Sequence, residues 1–216
     1  MMVLDIETSG LDTGRNGIWQ IGALEFENPS NQFLQESRID DEDEIMPEAL
    51  GLTGKTEADL RSKDKQSQKQ LIINYLEWCG GLSNNICVGH NIGFDLIFLQ
   101  NKCLRYGLMD LFKGSAGIRS FDLHTVAQFR HREIDGDYSL REDGRSNMSL
   151  SEIVRFCGIS TERKKLIGVL GVSKEGTPHN ALEDAKLTAE CFSRLMYEKN
   201  LLEEFKGFPA PDYLRK

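Results

Sequence analysis

No apolar run in this 216-residue chain approaches the roughly 18 residues that a membrane-spanning helix needs. The opening Met1-Met2-Val3-Leu4-Asp5 lacks the basic and apolar regions of a secretory signal. Positive charge is also scarce: 26 Lys and Arg stand against 34 Asp and Glu, a net charge of −8. That balance disfavours coating nucleic acid by bulk charge, and leaves open a site that grips only a chain end. There are only five cysteines (Cys79, Cys87, Cys103, Cys157 and Cys191), without a C-x-x-C pair. An odd, widely spaced set argues against a disulfide framework or zinc ribbon and for a reducing cytoplasm; Cys87 and Cys103 read as core thiols. No Gly/Ser- or Pro-rich linker and no internal repeat divides the chain. It reads as one domain over 1–216, with a core over about 2–198 and an extension over 199–216. G-x-G-x-x-G, Walker, G-x-S-x-G and H-E-x-x-H motifs are all missing.

What is present alternates. Met2 to Ile6, Ile18 to Phe26 and Gln32 to Ile39 read as three strands, with turns at 12–17 and 28–31, and suggest an antiparallel meander. The acidic run Asp40–Glu44 reads as a solvated loop, so replacing Asp41 or Asp43 by Ala is expected to change little. Apolar spacing predicts helices over Gln66–Trp78, over Gly93–Tyr106 with Gly107 as its stop, and over Thr125–Phe129. Two further helices are predicted from Ser149 to about Gly158 and over Ala181–Glu198, and short strands at Asn85–Val88 and Arg119–Leu123. Residues Arg132 to Asn147 read as a surface loop or hairpin. Strands followed by alternating strands and helices imply an α/β fold with a mixed sheet.

Three places hold acids that a folding chain would not choose for stability. Asp5 and Glu7 sit in an apolar strand and, with a side-chain period of two, face the same side. Taken alone, Asp-x-Glu at a strand end is more often a solvated edge than a site. Asp95, in His90-Asn91-Ile92-Gly93-Phe94-Asp95, falls in the first turn of a helix, where the dipole favours an acid anyway. His179 and Asp184 are five residues apart, roughly 140° around a helix, so both cannot be helical and share a face. Asn180 as N-cap, with Glu183 completing a capping box, resolves this. His179 then precedes the cap and meets Asp184, as the two ends of a hydrophobic staple do.

Taken together, the three segments resemble the DnaQ-like 3′→5′ exonucleases of the DEDDh type, in the ribonuclease H-like superfamily. Val3-Leu4-Asp5-Ile6-Glu7-Thr8-Ser9-Gly10-Leu11 looks like the first motif, His90 to Asp95 like the second, and His179-x4-Asp184 with Ala181 and Ala185 like the third. Ile45-Met46-Pro47 and Leu52 to Thr56 resemble the segment usual after the third strand. The resemblance covers about residues 2–198. It implies a ribonuclease H-like mixed central sheet, an antiparallel three-strand meander plus parallel strands, flanked by helices. It also implies Asp5, Glu7, Asp95 and Asp184 as ligands of two divalent cations, Mg²⁺ or Mn²⁺, and His179 as the general base. Thr8, Leu11 and Asn91 would contact substrate, and Phe94 would pack. Hard oxygen donors suit these ions rather than zinc, and two dications offset four crowded carboxylates. A histidine titrating near 6.5 can accept a proton from water at neutral pH. The implied partner is the 3′ end of DNA or RNA, and the implied products are nucleoside 5′-monophosphates. Two departures are visible: Leu4 replaces a frequent Phe, and the 132–147 segment has no assigned counterpart.

Two other readings use the same residues. One is a phosphodiesterase of short oligonucleotides; the other is a DEDDh-like fold kept as a non-catalytic binding module, which would have no use for all five motif residues. Basic clusters at Arg61–Lys69, Arg130–Arg132 and Arg163–Lys165 carry no interleaved aromatics and read as solvated faces. His124 and His131 read as surface or packing residues.

Overall fold

A computed structural model describes residues 1–116, 119–160, 166–167, 171–172, 176 and 178–215. Its centre is β1 (Met2–Thr8), which pairs antiparallel with β2 (Ile18–Glu25), and β2 in turn with β3 (Asn28–Glu36). On its other side β1 runs parallel to β4 (Cys87–Gly89), and β4 to β5 (Ser120–Asp122), giving the order β3-β2-β1-β4-β5. The meander is the expected one, but its second turn is not. The chain reverses at Phe26–Glu27 rather than 28–31, so β3 starts and ends earlier than expected. Because β3 is an edge strand, polar residues and Pro29 remain compatible with it, which disguises the strand as a turn.

Between β3 and β4 come α1 (Pro47–Thr53), α2 (Glu57–Leu60) and α3 (Gln68–Gly80); α4 (Gly93–Tyr106) and α5 (Met109–Ser115) follow β4. After β5 come α6 (Leu123–Asp135) and α7 (Leu150–Phe156), a small antiparallel pair β6 (Leu166–Ile167) and β7 (Gly171–Val172), and α8 (Ala181–Tyr197). The helix expected over 125–129 is longer at both ends and takes in the first four residues of the expected 132–147 loop or hairpin; Gly136, with φ of 85°, ends α6, and a hairpin follows. The side chain of Asp122 caps α6 by accepting from His124 N at 2.9 Å. The three short helices α1, α2 and α5 were not legible, being too brief to show a period. Among the described residues, no helix is long and apolar enough to cross a membrane.

The sheet is buried on both faces. Leu4 and Ile6 of β1 join α3 and α4 through Leu71, Leu76, Phe98 and Leu99, whereas Val3 faces Leu123, Ile153, Ala185 and Phe192 of α6, α7 and α8. All five cysteines are buried free thiols. The end of the chain is tied to α8 by Arg194, which pairs with Glu190 at 2.8 Å with both side chains fully enclosed. Glu190 also accepts from the backbone N–H of Leu201 and Leu202 at 2.8 Å each.

The acidic run is not a solvated loop throughout. Asp43 is 1% exposed, and its Oδ1 lies 2.6 Å from Lys102 Nζ and 2.8 Å from Arg105 Nη1 of α4. Its Oδ2 accepts from Gln68 Nε2 at 2.7 Å, while Gln68 Oε1 takes the backbone N–H of Ile18 at 2.6 Å. Burial alone would raise this carboxyl; the hydrogen bonds from Lys102, Gln68 and Arg105 outweigh it and hold the pKa below the ordinary value. Glu44 extends the knot through its carbonyl, which accepts from Ser9 Oγ at 2.6 Å and Asn16 Nδ2 at 2.8 Å. Composition predicted solvation because it cannot show that two cations of α4 wait beneath the loop.

Candidate active site

Strand parity puts Asp5 and Glu7 on the same side as Val3, the side covered by α8. Two residues of β2 set how closely α8 approaches. Gly22 pairs with Asp5, and a Cβ there would lie 2.1 Å from Leu182 N and 2.2 Å from the Ala181 carbonyl carbon. Only glycine lets the helix N-terminus rest on the strand. Gln20, opposite Glu7, accepts from Ala181 N at 2.8 Å through its Oε1. Asn180 caps the helix as expected, its side chain accepting from Leu182 N and Glu183 N. The reciprocal half of the capping box is not formed, because Glu183 turns to solvent and binds Lys186 Nζ at 2.9 Å. With its first turn pinned in this way, α8 carries Asp184 inward, to 4% exposure.

The other side of the site comes from α4. Asp95 is buried at the first turn and accepts from Ile6 N at 3.0 Å, which fixes α4 against the strand end between Asp5 and Glu7. Burial raises its pKa to about 8; backbone N–H donors from Asp95 and Ile6 oppose this, and the charge of Asp122 adds to it. Asp122 also accepts from Asn91 N at 3.0 Å, where the backbone is left-handed with φ of 56°. Sequence reading missed Gln20, Gly22 and Asp122 as positioning residues. Their signals were a polar residue and a glycine on one face of an apolar strand, and an acid between a strand and a helix.

Asp5, Glu7, Asp95, Asn91, His179 and Asp184 all line one cleft of about 530 Å³. Within it, donor atoms of Glu7, His179 and Asp184 lie within 4.8 Å of one another, and Asp5 and Asp95 stand outside that close trio. His179 Nδ1 is 3.8 Å from Asp184 Oδ2, and the backbone N–H of His179 donates to Leu52 O at 3.1 Å. An oxygen-rich set with a buried carboxyl that ionises reluctantly fits a hard divalent cation. A narrower apolar pocket of about 160 Å³ adjoins the cleft, sharing Ile6, Glu7, Leu52 and Phe94 with it. Thr8 and Leu11 line this second pocket, together with Met46 and Ala49. Thr8 Oγ1 donates to Gly10 O at 2.6 Å, so its hydroxyl shapes the loop. Sequence reading also missed Arg141 and Glu152, which line the cleft.

The profile of the family described as Exonuclease matches residues 2–192. A PolC-type DNA polymerase III of Thermotoga petrophila is 33% identical over 99% of this chain and 16% of that protein. Its counterpart in Caldanaerobacter subterraneus subsp. tengcongensis is 27% identical over 90% of this chain and 11% of that protein. The chain therefore spans only a small part of these relatives. Among solved structures, E. coli exonuclease I in complex with a dA16 oligonucleotide has a TM-score of 0.63 at 15% identity, covering 91% of this chain and 41% of that one. A moderately thermophilic exonuclease I from Methylocaldum szegediense has a TM-score of 0.65 at 18% identity, over 92% and 41%. The matched stretch carries the three motifs in order, and the chain belongs to the exonuclease family.

Proposed function

We propose that the chain hydrolyses the terminal phosphodiester bond at the 3′ end of a nucleic acid, releasing nucleoside 5′-monophosphates with two divalent cations, Mg²⁺ or Mn²⁺. The observation that carries this is the meeting of Asp5 and Glu7 of β1, Asp95 of α4, Asp184 of α8 and His179 just before α8 in one cleft. Asp5, Glu7, Asp95 and Asp184 would hold the cations. When bound, these supply positive charge that activates water and stabilises the leaving 3′ oxygen. His179 takes the water's proton, and the Asp184 carboxylate beside its Nδ1 stabilises the imidazolium that forms. The apolar pocket of Leu11, Met46 and Ala49 receives the terminal nucleoside, and Phe94 and Leu52 wall it off from water. Asn91 borders the scissile phosphate. Similarity to segments of PolC-type DNA polymerases supports DNA as substrate, and the oligonucleotide-bound neighbour supports a single-stranded end. Five buried free thiols suit the reducing cytoplasm.

The test is a 5′-labelled single strand, a duplex and an RNA of the same sequence, each incubated with Mg²⁺, Mn²⁺ or chelator. A descending ladder with metal and none with chelator is expected. Cutting of closed circular DNA, or immediate release of a labelled 5′ mononucleotide, would sink the reading. Ala at Asp5, Glu7, Asp95 or Asp184 should each abolish most of the activity.

A further inference from the structure

The segment after α6 is a docked hairpin, and it places one cation at the cleft. From Gly136 the chain runs back along α6: His131 Nδ1 meets Asp137 O at 2.8 Å, Gln128 and Ser139 exchange bonds at 2.9 and 3.0 Å, and His124 Nε2 meets Ser146 Oγ at 2.7 Å. Leu140 and Ser146 bridge, and the turn between them closes through Gly144, whose N–H donates to Arg141 O at 2.9 Å with φ of 78°. The turn thus projects Arg141 from a fixed base. Arg141 lines the cleft that holds Asp5, Glu7, Asp95, His179 and Asp184, and it is the only Lys or Arg among the described residues that do. Its guanidinium has no hydrogen bond or ion pair with any described residue.

The two adjoining pockets order the substrate. Thr8, Leu11, Met46 and Ala49 line only the apolar one; Arg141 and the start of α7 line only the cleft; Glu7 lies on the boundary. A terminal nucleoside in the apolar pocket puts the scissile phosphate at the carboxylates, so the strand leaves past the hairpin. The geometry points to Arg141 as a substrate-binding residue that clamps the backbone phosphate one nucleotide 5′ of the scissile bond. A planar, permanently charged fork suits that role, since phosphate takes it bidentately. An acidic cleft needs such a counter-charge beyond the reach of the cations. The inference rests on the exonuclease reading above.

Steady-state hydrolysis of a 5′-labelled single-stranded oligonucleotide with Mn²⁺ tests it, using wild type, Arg141→Ala, Arg141→Lys and Arg145→Ala. Arg145 is the control: it removes the same charge from the same hairpin, but its side chain is 83% exposed and does not line the cleft. Arg141→Ala should raise KM about tenfold with little change in kcat, Arg141→Lys should recover part of the loss, and Arg145→Ala should move KM less than twofold. The slope of log(kcat/KM) against log[salt] should shallow by about 0.7 for Arg141→Ala, the worth of one phosphate contact on a single strand. Equal KM and salt slope for Arg141→Ala and Arg145→Ala, with wild type active, would overturn the clamp alone. An inactive wild type would overturn the exonuclease reading and the clamp with it.

Discussion

Replacing Asp43 with alanine should lower the melting temperature of this protein by roughly 7–11 °C, although Asp43 sits in a run of acids that looks solvated. Its partner Lys102 is 1% exposed, with Nζ 2.6 Å from the carboxylate, and Arg105 holds the same oxygen at 2.8 Å. Removing the acid leaves a buried ammonium uncompensated beside a guanidinium, a loss of about 3–5 kcal/mol. Over 216 residues the unfolding entropy, about 2 cal/mol/K each, turns that loss into the stated fall. Asp43→Ala/Lys102→Met removes both ends of the pair and should recover part of the loss, giving a coupling energy above about 1 kcal/mol. The pH profile adds a sign. A carboxyl held below its ordinary value contributes stability that is full above the unfolded pKa, about 4, and is lost as pH falls through the folded value. The gap between wild type and Asp43→Ala should therefore close below about pH 4. Thermal and urea melts of the four proteins in the double-mutant cycle, at pH 7 and pH 3.5, measure all of this. Asp43→Ala melting within about 2 °C of wild type at pH 7, or single losses that simply add, would refute the buried-pair account.

Three further outcomes are expected. In chelator the Asp95 carboxyl, raised to about 8, takes up a proton on folding, so stability falls as pH rises from about 4 to 8. Asp95→Asn keeps an acceptor for Ile6 N and should melt above wild type at pH 8 in chelator while losing activity; a lower Tm there would mean that the charge is stabilising. Gly22→Ala forces a Cβ into the backbone of α8 at 2.1 Å and should cost about 1–3 kcal/mol together with most of the turnover. Native activity and stability in that variant, measured by melts and oligonucleotide assay, would show that α8 can shift harmlessly. His179→Ala should lose 10²- to 10⁴-fold in kcat, the usual worth of a general base, and near-native turnover would remove His179 from that role.

Local signals in the sequence were sufficient where structure is governed by neighbours along the chain. The strand parity of Asp5 and Glu7, the span of α4 ending at Gly107, the Asn180 cap and the meander were all legible, because period and capping act within a few residues. The order of the three motifs added the family, and with it the fold. What failed was whatever a distant partner decides. Asp43 reads as solvent-facing until α4 brings Lys102 and Arg105 beneath it, and Asn28–Asn31 reads as a turn until β3 proves to be an edge strand. The hairpin that carries Arg141 showed no period at all; its hydrogen bonds to Gln128 and His124 aim it. The acids and the histidine were singled out by the resemblance of three segments to a family, and the structure brings all of them to one cleft. Only the tertiary structure decided that Gly22 and Gln20 seat α8 on the strand and that one arginine enters the cleft. Close approach and burial are properties of pairs of elements, and no single segment contains them.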